Sequence, residues 1–192
     1  MHPHQKNPGS LQLVAALLTL ASSLAACEES PPATQAAPPT KAESTCGNAG
    51  RLVGSLSGAI HAQLDWLDNE LRCESMPRPD AAGVRLRFSG EISQERLVII
   101  IALPTLNAGA TGEGFDSNVT ITVENSGRFF STPNLDTCWT DVTTNEPLPD
   151  TEGNFNVVGG LSCVGPLGEI NGDAFVDVRD LRFSGVANWS KQ

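Results

Sequence analysis

The chain has 192 residues, with 12 basic and 22 acidic side chains for a formal charge of −10, no tyrosine, 18 glycines, 13 prolines and five cysteines. An acidic chain without a Lys/Arg cluster argues against nucleic acid as a partner and against docking on anionic lipid headgroups. It suits solubility, divalent cations or a basic partner.

The elements begin with a polar stretch, Met1 to Ser10, which carries one cation, Lys6. Leu11 to Ala26 follows, rich in Leu and Ala and free of charge, and too short for a spanning helix of about 20 apolar residues. It closes on Leu24-Ala25-Ala26-Cys27, where two small side chains suit a peptidase groove and the thiol is a nucleophile. This segment resembles the signal peptide and lipobox of bacterial lipoproteins. The resemblance implies removal of residues 1–26, diacylation of Cys27 and attachment to a membrane by acyl chains, two or three of which hold a protein stably. The next residue is Glu28, not the Asp linked with inner-membrane retention in the enteric members of that family. The expected location is therefore the bacterial cell envelope, on the outer membrane, facing the periplasm or the exterior. Removing residues 1–26 takes away Lys6 alone and leaves 11 basic against 22 acidic side chains, a charge of −11.

Residues 27–45 read as a tether. Four prolines, three Glu against one Lys, and small polar residues cannot bury enough apolar area to offset chain entropy. Proline extends such a segment at about 3.1 Å per residue.

Residues 46–192 form one domain of 147 residues, a size that supports a single core. Its runs alternate polar and apolar, as in Val84 to Phe88 and Asn118 to Val123, which is the period of a half-buried strand. Asn125-Ser126-Gly127 makes a hairpin turn into Arg128-Phe129-Phe130. Leu97 to Leu103 is apolar on both faces and predicts a central strand. Further strands are expected over Arg51 to Ile60, Thr137 to Val142, Asn154 to Cys163, Phe175 to Val178 and Leu181 to Trp189. Ile60 to Leu71 fits strand alternation and helical spacing alike, and the preceding Gly and Ser residues favour the strand. Cys73 to Ala82 reads as a stiff connection. The fold class is all-β, an antiparallel β-sandwich of eight or nine strands, with a distorted barrel as the alternative.

Setting Cys27 aside leaves Cys46, Cys73, Cys138 and Cys163, an even number that suits an oxidising compartment. Pairing Cys46 with Cys73 and Cys138 with Cys163 closes two loops of similar, modest length. Zinc would want close Cys pairs or nearby His, and His61 is the one histidine after Cys27.

Three sets of residues are candidates for function. The stretch Glu169 to Asp180 places oxygen-bearing side chains at Glu169, Asn171, Asp173, Asp177 and Asp180. It resembles the calcium loop of dockerin and EF-hand modules over twelve residues, and the resemblance implies calcium as the cofactor. It departs from that loop with Ala174 where the sharp turn has Gly, and with Glu at the first position; Asn171-Gly172 reads equally as a hairpin turn. Two long connections are candidate binding loops: Leu106 to Ser117 with Glu113 and Asp116, and Thr143 to Gly153 with Glu146, Asp150 and Glu152. No nucleophile elbow is present, and a Ser-His-Asp triad would depend on His61. The expectation is a non-enzymatic binding or structural module with an envelope protein or glycan as partner. The alternatives are an envelope enzyme or accessory on polysaccharide or peptidoglycan, and a calcium-stabilised adhesion-type module. An open groove lined by two carboxylates and a Trp would favour the polysaccharide reading.

Overall fold

The structure is a computed structural model that describes residues 45–47, 49–76, 83–149 and 151–190, all within one unit, Lys41–Gln192. Cys27 and Asp150 lie outside the described residues, as do the signal segment and almost all of the tether. Eleven strands follow in order: β1 Arg51–Gly58, β2 Ala62–Leu67, β3 Arg72–Met76, β4 Val84–Ile92, β5 Glu95–Leu103, β6 Gly112–Val123, β7 Arg128–Ser131, β8 Cys138–Pro147, β9 Asn154–Cys163, β10 Leu167–Glu169 and β11 Phe175–Asn188. The fold is all-β. No helix among the described residues is long and apolar enough to cross a membrane.

All strands belong to one antiparallel sheet, along the path β2-β1-β11-β10-β7-β6-β5-β4-β3. β9 and β8 complete it beside β10 and β7: β9 pairs with β11, and β8 bridges β9 and β6. The sheet folds over so that β4 faces β11. The rings of Phe88 and Phe183 lie 5.4 Å apart, and the Asn188 N–H donates to Ser75 Oγ at 2.7 Å. Inward residues of the two layers interdigitate in a core that includes Leu52, Leu86, Ile99, Ile121, Phe130 and Leu181, all buried. Glycine makes two of these approaches possible. A Cβ on Gly185 would meet the Phe88 ring at 2.6 Å, and one on Gly90 would meet Trp66 at 2.5 Å.

The two ends of the path, β2 and β3, are consecutive in sequence and joined by residues 68–71. Here the helical spacing of the Ile60 to Leu71 segment survives as a single turn, in which the Leu67 carbonyl accepts the N–H groups of Glu70 (2.8 Å) and Leu71 (2.9 Å). The rest is strand, with Leu64 and Trp66 buried on the inward face. The Cys46–Cys73 disulfide ties residue 46 to β3 beside this seam, and Thr45 Oγ1 accepts from the Cys73 N–H at 2.9 Å. The Cys138–Cys163 disulfide joins directly opposed residues of β8 and β9, with Cα atoms 4.1 Å apart.

The strands number eleven, against eight or nine expected, through two additions and one merger. β3 occupies the start of the segment read as a connection, and β10 has only three residues. The two strands expected between Phe175 and Trp189 are one, β11, interrupted by a bulge. Arg179 pairs with Ser55 and Arg182 with Val53, leaving Asp180 and Leu181 opposite Gly54, and Asp180 takes φ 51°. Asp tolerates that left-handed backbone, and a bulge of this kind re-aims a strand without ending it.

Candidate functional site

The bulge positions a concavity on the outer face of β1, β11, β9 and β8. Across these strands one row of the register reads Val53, Arg182, Gly160, Asp141. The next row brings Arg51, Ser184 and Val158 side by side. Side chains on the same face of neighbouring strands stand together. Gly160 has none, and a Cβ added there would meet nothing within 4 Å. The result is an open depression of about 630 Å³, lined by Arg51, Val53, Asp141, Thr143, Val158 and Arg182, with the backbone of Gly159 and Gly160 in its floor.

The charges around it are unequally engaged. Arg51 pairs with Asp65 at 3.2 Å in a solvent-exposed contact, which is weak by nature. Asp141 Oδ1 accepts the Gly114 N–H at 2.8 Å, and its Oδ2 has no hydrogen bond among the described residues. Arg182 is exposed and has no ion pair or side-chain hydrogen bond among the described residues. The depression therefore has an available cation on one flank and half a carboxylate on the other, over a largely apolar floor.

A second pocket, of about 400 Å³, lies at the seam and is lined by Trp66, Asn69, Glu70, Arg72, Ser89, Gly90, Glu91 and Arg96. Trp66 is 7% exposed and packs against the backbone at Gly90, so its ring fills the interior and offers little surface to a ligand. Arg96 faces Glu124 at 3.7 Å.

The five candidate calcium ligands are not gathered. The Arg128 guanidinium donates to Glu169 Oε1 at 2.6 Å, and that hydrogen bond holds the Glu169 carboxyl below the usual carboxylate range. Asn171 sits in the turn with φ 64°, Asp173 is in the same turn, and Asp177 and Asp180 lie along β11. A strand advances about 3.3 Å per residue, so it carries Asp177 and Asp180 away from the turn, whereas calcium needs its oxygens within about 2.6 Å. Among the described residues no group of three or more His, Cys, Asp or Glu could hold a metal ion. Asn171-Gly172 does turn the chain between β10 and β11, in a five-residue loop closed by the Glu169 N–H to the Ala174 carbonyl at 2.8 Å.

The two candidate loops are shorter than expected. β6 begins at Gly112, so Glu113 and Asp116 are strand residues, and β8 runs to Pro147, so Glu146 is one too. Both strands extend because they pair across this region, Asp116 with Trp139 and Glu146 with Asn156. Of the acids placed there, only Glu152 lies in a described connection. The loops do meet, through a residue the sequence did not single out. The buried Asn145 donates from Nδ2 to the carbonyls of Asn107 (2.9 Å) and Ala110 (3.0 Å). His61 is exposed and precedes β2, in the turn rather than in the strand.

The residues of the outer depression carry one sequence signal, the Gly159-Gly160 pair inside a strand. A strand-interior glycine marks a bulge or a close approach. Gly159 has such a reason, since a Cβ there would meet the Asp141 carbonyl oxygen at 2.7 Å and the Phe183 ring at 3.0 Å; Gly160 has none. The chain matches no known protein family, no curated protein and no solved structure.

Proposed function

We propose that the protein is a lipid-anchored binding module of the bacterial cell envelope, held on a membrane through Cys27 and presenting a disulfide-bonded β domain on a Pro-rich tether. The observation that carries this reading is the pairing of all four later cysteines with one another. Two disulfides suit an exported protein, and Cys27 remains as the thiol at the end of Leu24-Ala25-Ala26. The outer membrane is the proposed site, from Glu28. The depression over Gly160 is the proposed binding surface. Metabolic labelling with a fatty-acid analogue tests the anchor: the wild type takes up label and fractionates with membranes, while the Cys27→Ser form is unlabelled and is released by alkaline washing. An unlabelled wild type overturns the reading.

A second reading, an enzyme or accessory acting on polysaccharide or peptidoglycan, rests on the two carboxylates Glu70 and Glu91 that line the seam pocket, to which the buried Trp66 adds little stacking surface. Co-sedimentation with purified peptidoglycan, and assay for released reducing ends, tests it. Loss of either activity in Glu70→Gln and Glu91→Gln would support it, and wild-type behaviour of both would end it.

A further inference from the structure

We infer that the depression over Gly160 binds a short, extended peptide that carries both a free carboxylate and a free ammonium group. This deepens the binding-module reading and rests on it for its biological setting. Two central glycines in one strand are unfavourable, because glycine loses more backbone freedom on folding than any other residue. Packing against Phe183 accounts for Gly159, whereas Gly160 opens into empty space on the outer face. What that absent side chain gives the fold is access: a ligand can lie on the sheet backbone between Arg182 and Asp141, the flanking residues in the same register row.

The charges select the ligand. Arg182, with no partner among the described residues, suits a carboxylate, which a guanidinium can grip with two parallel hydrogen bonds. Asp141 lines the same space, and its carboxylate, with Oδ2 free of hydrogen bonds among the described residues, suits an ammonium, while its Oδ1 is held by the Gly114 N–H, which fixes the side chain. A ligand with anionic groups alone would meet repulsion from Asp141, and the chain as a whole is strongly acidic. A ligand with cationic groups alone would leave Arg182 unused. Between the two sites the floor is the backbone of Gly159 and Gly160, with apolar Val158 beside it on β9, while Val53 lines the far side of Arg182.

Length follows from the sheet. Arg182 and Asp141 stand on strands either side of β9, hence about 9–10 Å apart at neighbouring-strand spacing. An extended chain covers about 3.3–3.6 Å per residue, so three residues span the gap. The ligand would run across the strands rather than along an edge, which separates this mode from strand addition.

Calorimetric titration of the processed, full-length protein in mild detergent tests the inference, with trialanine bearing free termini as probe and its N-acetylated, C-amidated form as control. Trialanine is expected to bind saturably. Capping both ends, Arg182→Gln and Asp141→Asn are each expected to weaken binding by about tenfold or more. Asp141→Asn keeps the oxygen that accepts from Gly114, so the variant tests charge and not folding. Equal binding of the capped peptide, wild-type affinity in both variants, or no saturable heat with trialanine would each overturn the proposal. Titrating the Cys27→Ser form separates the two hypotheses, because its affinity is expected to match the wild type whether or not the anchor is lipid.

Discussion

The Arg128 guanidinium donates through Nε to Glu169 Oε1 at 2.6 Å, and its Cζ lies 5.1 Å from the centre of the Phe130 ring. Glu169 is directly opposite Phe130 in the β7–β10 register, so the ion pair sits over an inward aromatic at the end of the roll. The hydrogen bond lowers the Glu169 pKa and raises that of Arg128. A carboxylate whose folded pKa lies below its unfolded value, about 4.3, contributes stability that is complete above the unfolded value and lost as pH falls through the folded one. Glu169→Gln is therefore expected to melt below the wild type at pH 7. The gap should narrow below about pH 4.3 and close once both forms are neutral at this position. Thermal melts across this range check it, and a gap independent of pH would refute the assignment.

The two disulfides are predicted to stabilise by similar amounts through different parts of the fold. They close loops with sequence separations of 27 and 25 residues, for which the chain-entropy account gives about 3–4 kcal/mol each. The paired substitutions Cys46→Ala/Cys73→Ala and Cys138→Ala/Cys163→Ala should each lower stability by about that amount in urea unfolding. Amide exchange should distinguish them. Loss of the first should accelerate exchange in β3 and residues 68–71, and loss of the second in β8 and β9.

Strand alternation made most of this architecture legible. β9 begins and ends where its pattern does, at Asn154 and Cys163, because it is flanked by strands on both sides and its polarity follows its pairing. β3 was hidden because its five residues end beside Pro77 and owe their conformation to the partner strand β4. β11 looked like two strands because a bulge at Asp180 shifts the alternation without breaking the ladder. The depression was less legible for a related reason. Val53, Asp141, Gly160 and Arg182 are far apart in sequence, and each reads singly as an ordinary residue of a solvated strand. Only the register across β1, β11, β9 and β8 aligns them.

Asn145 shows how a single buried amide fixes a long connection. Its Nδ2 satisfies two carbonyls, of Asn107 and Ala110, in a side chain that is 3% exposed. Asn145→Ala removes both donors, and a lost hydrogen bond in a buried setting costs about 1–3 kcal/mol. The variant should lose about that much stability, and the amides of residues 106–111 should exchange faster while those of β4 and β5 remain as in the wild type. Uniform acceleration across the domain would instead mean that Asn145 supports the whole core.

Gly90 and Gly160 both lie within strands, yet substitution at the two is expected to move stability in opposite directions. At Gly90 an added Cβ would fall 2.5 Å from the Trp66 ring, which is buried and flanked by core residues. Overpacking of this kind typically costs about 1–3 kcal/mol, so Gly90→Ala should unfold at lower urea with altered tryptophan fluorescence. At Gly160 the added methyl meets nothing, and the loss of glycine's freedom in the unfolded chain should stabilise Gly160→Ala by about 0.4–1 kcal/mol. The same methyl would stand on the floor between Arg182 and Asp141, in the path of a ligand lying on the backbone. Gly160→Ala should thus be more stable than the wild type and bind trialanine more weakly, and Gly160→Val more weakly still. A variant that gains stability and keeps full affinity would show that the glycine serves neither packing nor binding.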